Sequence, residues 1–286
     1  MTVYFTKKES EYYTARDIYD KNGKLLLSKD QKISVKTKHR LETLIKNDLA
    51  KPDESSQTEE AISKDAPAKH PHLTAINEGF SQRMSLHDKR ILEKPNDILI
   101  NIIFESKTKP WWIYVNALSK YVDWLYTHSI DVAIISLMIA VKLGYNDREL
   151  TNLGIGTLLH DVGKLLIPKS IIQKRGKLTD QEMMLMKQHC DLGMSSLENY
   201  DIPKEYTDIV MQHHERLDGS GYPNGIKGKD IHQNARIVMI ADTIDSITSY
   251  RPYREARTID IAIEVLKNEK DSYSQELVSL FSEIIK

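Results

Sequence analysis

A chain of 286 residues with 40 basic and 41 acidic side chains carries a formal net charge of −1, so composition gives no electrostatic support for binding long nucleic acid or an anionic membrane surface. The length suits a catalytic domain of ordinary size with a smaller appendage. The single cysteine, Cys190, excludes an internal disulfide and a thiolate metal site, and reads as a small buried hydrophobe. The amino end, MTVYFTKKES, lacks the apolar core of a secretory signal, and no segment reads as long and apolar enough to span a bilayer; a cytoplasmic protein without membrane insertion is expected.

Near the start, ARDIYDKNGKLLLS sets an Asn22-Gly23 turn between two strand-like segments, a hairpin signal because both residues tolerate positive φ. SVKTKHRLETLIKNDL then places Leu41, Leu44, Ile45 and Leu49 on one helical stripe that can pack on the hairpin. Residues 1–50 are therefore expected to form a small α+β module, possessing no catalytic motif and suited to regulation or partner binding. Residues 51–72 are polar, punctuated by prolines and poor in apolar surface, which predicts a linker.

From Leu73 to the end the apolar spacing is helical, so residues 73–286 predict a mainly α, bundle-type domain. Its expected helices include the single long stretch YVNALSKYVDWLYTHSIDVAIISLMIAVKLG, then DRELTNLGIGTLLHDVGKLL, TDQEMMLMKQHCDLGMSSLENY, KEYTDIVMQHHERL and NARIVMIADTIDSITSY. The run VAIISLMIAVKLG is too short for a span and reads as a helix buried in the bundle. Thr179 and Glu182 form a capping-box pattern, and Pro168, Pro203 and Pro252 fall where helices should begin or end.

His213 and His214 are adjacent near a helix end, where successive side chains point about 100° apart and address two different points, an arrangement suited to a pair of cations. Other nitrogen and oxygen ligands are then required. On the helix expected to carry HDVGK, His160, Asp161 and Lys164 can face one site, and a carboxylate beside an imidazole can bridge two cations. His128, His189 and Asp242 each interrupt an apolar helical segment, which is costly unless the group is satisfied. Each alone reads as a hydrogen-bonded core group, as His39, His70, His72, His87 and His232 read as surface or hydrogen-bonded residues. The ordered set of seven is poorly explained by independent accidents.

The stretches HDVGK, HHERLDGSGYP and ARIVMIADTIDSITSYRPYR resemble the HD-GYP branch of the HD metal-dependent phosphohydrolases, over roughly Leu118 to Ile285. The resemblance implies an HD-type helical bundle and a phosphodiesterase for bis-(3′-5′)-cyclic diguanylate, a bacterial second messenger. It further implies two divalent cations, iron or manganese, with His128, His160, Asp161 and Asp242 around one and Asp161 bridging to a second held by His189, His213 and His214. Such a pair suits phosphodiester hydrolysis by lowering the pKa of a shared water and neutralising non-bridging oxygens. Lys164 is the expected contact to a phosphate oxygen, ranked ahead of a salt bridge to Asp161. Gly221, Tyr222 and Pro223, with Gly219 before them, are expected to shape a loop for substrate or for signalling partners; Arg251 and Arg254 are candidates for phosphate or guanine contacts. One departure stands out. Three-metal members of the family carry a Glu one turn before the first histidine, where this chain has Trp124; Asp123 and Asp131 are poorly placed to replace it, so two metals and a linear pGpG product are expected. Other readings of the same residues are a hydrolase for another cyclic or linear dinucleotide, or a catalytically silent nucleotide-binding adaptor.

Overall fold

A computed structural model describes short strands within residues 5–52, then residues 79–250 and 255–286. The chain divides into two compact units, Met1–Ala68 and Lys69–Lys286. In the first, β1 (Phe5–Lys8), β2 (Glu11–Thr14) and β5 (Lys32–Ile33) form one antiparallel sheet, with Phe5 opposite Thr14 and Tyr12 opposite Ile33. The second sheet has β3 (Ile18–Asp20) between β4 (Leu25–Leu27) and β6 (Ala50–Pro52), with Ile18 opposite both Leu27 and Pro52. The expected hairpin strands are thus β3 and β4. The Asn22-Gly23 turn and the helix expected within residues 34–49 lie outside the described residues, and Lys51 and Pro52, read as the start of the linker, belong to β6.

The second unit is helical. A helical turn at residues 79–83 precedes α1 (Glu93–Ser106), α2 (Trp112–Tyr121), α3 (Asp123–Lys142) and α4 (Asp147–Leu159). There follow α5 (Lys169–Ile172), α6 (Asp180–Lys187), α7 (His189–Leu197) and α8 (Lys204–Gln212), then α9 (Gln233–Thr248), α10 (Ile259–Asn268) and α11 (Gln275–Ile284). Helix α3 runs through the middle, packed on α1, α2, α4, α9 and α11. Ile130, Val132, Ala133, Ile134, Ile135, Leu137, Ile139 and Ala140 are all buried, so this helix has no solvent stripe, and each large aliphatic side chain contributes about 1.5–3 kcal/mol. From Trp124 to Lys142 it is, by length and composition, sufficient to cross a membrane, contrary to the expectation that no segment is; 78% of that stretch is buried inside the bundle.

Three expected helices are broken in two. Val122 takes an extended conformation (φ −143°, ψ 123°) and separates α2 from α3. Helix α4 stops at Leu159, and a 3-10 turn, Val162–Leu166, follows with Asp161 at its start, so His160, Asp161 and Lys164 do not share one α-helix. The stretch from Thr179 divides at Gln188 into α6 and α7. Capping follows the sequence more closely. The Thr179 hydroxyl accepts from the Glu182 amide while the Glu182 carboxylate accepts from the Thr179 amide, and Asn146 with Glu149 does the same for α4. Pro168 and Pro203 cap α5 and α8; Pro252 lies outside the described residues.

Candidate metal centre

The helix ends bring seven side chains to one point. His128 comes from the second turn of α3, His160 caps α4, Asp161 opens the 3-10 turn, His189 begins α7, His213 caps α8, His214 follows it and Asp242 lies on α9. They form two groups whose ligand atoms lie within 4.8 Å of one another: Asp161, His189, His213 and His214 in one, His128, His160 and Asp242 in the other. His213 and His214 therefore share a group instead of addressing two points. Helix α8 ends at Gln212, so the 100° step of a continuing helix does not apply to them, and their rings lie 4.2 Å apart.

Asp161 stands between the groups. Its Oδ2 is 3.4 Å from both His128 Nε2 and His160 Nε2, while its Oδ1 is 3.6 Å from His189 Nε2 and 3.9 Å from His213 Nε2. Burial pushes the Asp161 carboxyl upward, but the fields of His160 and Lys164 and hydrogen bonding with His128 and His160 together hold it well below its ordinary range. Lys164 Nζ donates to Asp161 Oδ2 at 2.6 Å, the salt bridge that the sequence reading ranked second. Asp242 is placed beside His128, with Oδ1 3.2 Å from Nε2, and its Oδ2 is 3.9 Å from His214 Nδ1.

The far nitrogens fix the ring orientations. His160 Nδ1 donates to Thr157 O at 2.6 Å, His189 Nδ1 to Met186 O at 2.7 Å, and His213 Nδ1 to Ile209 O at 3.0 Å. Burial lowers His189 to about 4 and holds His213 and His214 well below the ordinary histidine range, so all three are neutral near pH 7. With Nδ1 of His189 and His213 committed as donors, their Nε2 atoms face each other at 3.3 Å as two lone pairs. His160 Nε2 and Asp161 Oδ1 are buried with no hydrogen-bond partner. Two inward acceptors without donors, beside a pair of facing imidazole nitrogens, are repulsive as they stand and fit divalent cations, and five imidazoles with two carboxylates and no thiolate suit borderline metals.

Two glycines permit this packing. A Cβ on Gly163 would lie 1.9 Å from His189 O, so the 3-10 turn touches the first residue of α7 through bare backbone. One on Gly221 would lie 2.5 Å from Glu215 Cα, which seats the loop from Gly219 (φ +82°) against the strand of chain leaving His214. Glu215, fully buried, holds the loop's far side by accepting from Asn224 N at 2.8 Å. Tyr222 stacks on His214 with ring centroids 4.7 Å apart and an interplanar angle of 24°, and Lys187 Nζ sits 5.1 Å from the same ring.

Beside the centre lies a cleft of about 340 Å³ walled by His128, Lys164, His214 and Asp242, and by Arg216, Thr243, Ser246, Glu269 and Tyr273. Arg216 stacks over the Tyr273 ring at 4.8 Å, and the Tyr273 hydroxyl meets Thr243 Oγ1 at 3.1 Å. Gly221, Tyr222 and Pro223 do not wall this cleft; Tyr222 meets the centre at His214 and, edge-on at 6.3 Å, at His189. Arg251 and Arg254 lie outside the described residues. Arg216, Glu269 and Tyr273 escaped the sequence reading because a lone charged or aromatic residue near a helix end has no distinguishing pattern. Of the other histidines, His232 caps α9 by accepting from Asn234 N, and Cys190 is buried as expected.

Around Trp124 the structure narrows the options for a further cation. Its ring meets the His128 ring edge-on, with centroids 6.5 Å apart. Asp131 points away into an ion pair with Arg83 at 2.7 Å; the Asp123 side chain lies outside the described residues.

Residues 113–277 match the HD domain family. Among curated relatives, the cyclic di-GMP phosphodiesterase response regulator RpfG of Xanthomonas campestris is 43% identical over 132 residues, 45% of this chain and 35% of that one. The 3′3′-cGAMP-specific phosphodiesterase 3 of Vibrio cholerae is 35% identical over 157 residues, 54% of this chain and 34% of that one. The chain thus spans about a third of the length of these two relatives. The solved structure of Bd1817, an HDG"Y"P protein from Bdellovibrio bacteriovorus, aligns with 98% of this chain and 92% of its own at a TM-score of 0.51; 16% identity makes that a likeness of fold. HD domains bind divalent metals, the His/Asp cluster described above has the donors to do so, and the chain belongs to the HD domain family, in its HD-GYP branch.

Proposed function

We propose that the chain is a metal-dependent phosphodiesterase for bis-(3′-5′)-cyclic diguanylate, holding two divalent cations, iron or manganese, and yielding mainly linear pGpG. The observation that carries this reading is the Asp161 carboxylate, which turns one oxygen to each group of ligands. His128, His160 and Asp242 would hold one cation, His189, His213 and His214 the other, with Asp161 between them. When bound, the cations supply an activated water and positive charge for the phosphate's non-bridging oxygens.

The chain's own residues do the rest. The backbone carbonyls of Thr157, Met186 and Ile209 hold the imidazoles in the tautomer that presents Nε2. Lys164 lies at the cleft wall beside Asp161, where its ammonium can meet a phosphate oxygen while staying within reach of the carboxylate. Arg216, pre-stacked on Tyr273, offers a second cation and a planar surface to a phosphate or a purine entering the cleft. Tyr222, in the loop with Gly221 and Pro223, braces His214 by stacking on its ring. Residues 1–50 and the loop at Gly221–Pro223 are the surfaces proposed for signalling partners, and a cytoplasmic location goes with the proposed substrate.

Anaerobic purification, metal analysis and assay against cyclic diguanylate, 3′3′-cGAMP and a linear dinucleotide test the reading together. Two metals per chain and the highest kcat/KM on cyclic diguanylate are expected. A preference for 3′3′-cGAMP would move the assignment to that substrate, and a metal-loaded protein that binds nucleotide without turnover would replace it with an adaptor.

A further inference from the structure

Arg83 lies 30 residues before the stretch matched to the HD domain family, in the helical turn at residues 79–83, and no sequence pattern marks it. Its guanidinium nonetheless reaches the back of the metal centre. Nη1 donates to Asp245 Oδ1 at 2.7 Å, to Thr248 Oγ1 at 2.9 Å and to Ser249 Oγ at 2.5 Å, while Nη2 donates to Asp131 Oδ2 at 2.7 Å. Asp245 is fully buried on α9 and Asp131 is buried on α3, so one fork ties two carboxylates on two helices. The other oxygen of Asp245 accepts from His128 Nδ1 at 2.6 Å. The chain of contacts runs Arg83, Asp245, His128, and ends at the Nε2 that faces Asp161 and Asp242.

We propose that Arg83 is a positioning residue for one half of the metal centre, acting through Asp245 to hold His128 in the orientation that presents Nε2. The proposal rests on the two-metal reading above. Its physical basis is the demand of a buried anion for donors. Asp245 Oδ1 is met by Arg83 and by Ser249 Oγ at 2.6 Å, and this leaves Oδ2 for His128. Without the guanidinium, two buried carboxylates lose a shared counter-charge, and Asp245 turns to recover a donor at the expense of its bond to His128. The effect is confined to one group of ligands. His160, His189 and His213 are oriented by backbone carbonyls three or four residues before them, and none of those bonds passes through Asp245 or Arg83.

Removing a carboxylate partner from a ligating histidine typically lowers metal affinity about 10- to 100-fold. The test is a calorimetric titration of metal-free full-length protein with Mn²⁺, and the visible absorption of the Co²⁺-loaded protein, for the wild type, Arg83→Met and Arg83→Lys. The expected result is two binding steps in the wild type, with one step weakened about 10- to 100-fold in Arg83→Met, the other unchanged, and only part of the Co²⁺ spectrum altered. Arg83→Lys keeps the charge but not the fork, and should recover part of the lost affinity; it also serves as the readable variant if Arg83→Met fails to fold. Two unchanged steps in Arg83→Met would overturn the proposal, as would equal weakening of both steps in Arg83→Lys, which marks a purely structural role. A wild type that binds fewer than two metals would instead sink the two-metal reading itself.

Discussion

Gly163→Ala is the smallest change that the structure expects to disable the centre. The added Cβ would stand 1.9 Å from His189 O, 2.8 Å from His189 C and 2.5 Å from Gly193 N, all of them backbone atoms with no rotamer to yield. Ordinary contact begins near 3.4 Å, so the 3-10 turn and α7 must separate by about 1.5 Å. That displacement lies between Asp161, two residues before Gly163, and His189, whose Oδ1 to Nε2 distance is 3.6 Å. Overpacking of this kind costs about 1–3 kcal/mol of stability, which the large helical core can absorb. A misplacement of about 1 Å at a reacting centre costs roughly 100-fold in rate. The expected outcome is a folded protein with a modestly lowered Tm, cyclic diguanylate hydrolysis reduced about 100-fold, and weakened metal at the position of His189, His213 and His214. Turnover within threefold of wild type and full metal content would refute the reasoning, because they would show that the turn and α7 adjust without moving the ligands.

Asp161→Ala should lower turnover by more than about 100-fold and release metal while circular dichroism remains helical, and full metal with retained activity would exclude Asp161 as the bridge. A time course on cyclic diguanylate should accumulate pGpG, with GMP appearing slowly or not at all, because an indole stands where a third metal would need a carboxylate; GMP formed as fast as pGpG from a protein with three metals would show that another group replaces it. The metal-free protein should lose stability as the pH falls. Burial lowers His189 from 6.5 to about 4, so the unfolded chain binds the extra proton first, and stability present above about 6.5 declines toward 4 by on the order of 3 kcal/mol. Flat thermal unfolding temperatures across that window would contradict it. A shortened chain beginning near Leu73 retains Arg83 and the whole helical unit, so it should fold and bind both metals; an insoluble or metal-free product would place the domain boundary elsewhere.

The cluster of seven side chains was legible because each is a costly residue in an apolar setting. His128 lies four residues before the apolar run of α3, and Asp242 sits between Ala241 and Ile244 on α9, so an unsatisfied reading of either is costly and the cluster becomes the economical explanation. Helix breaks were not legible, since the apolar spacing continues through Val122, Asp161 and Gln188 as if the helices ran on. The breaks matter more than the helices for the site: they turn His189 and the His213–His214 pair onto Asp161, which continuous helices would carry away from one another. Arg83 was invisible for a different reason. Its partners Asp131, Asp245 and Ser249 lie 48 to 166 residues away, and no local spacing reports a contact of that range.

The same network bears on the proposal of two cations instead of three. The cluster holds two carboxylates, Asp161 and Asp242, with five imidazoles, so two divalent cations would leave a net positive centre facing the cleft. Lys164 and Arg216 add to it on the cleft side. Among the described residues, two further acids near His128, Asp131 and Asp245, each give one oxygen to Arg83. A third cation near Trp124 would therefore meet an indole edge, a histidine already bound through Asp245, and no free carboxylate from the Arg83 pair. Positive charge sufficient for a phosphodiester monoanion, with no carboxylate in place of Trp124, would favour opening of the ring over a second cleavage on the proposed reading. On this argument Arg83 would orient His128 for one cation while its second arm pairs with Asp131 on α3.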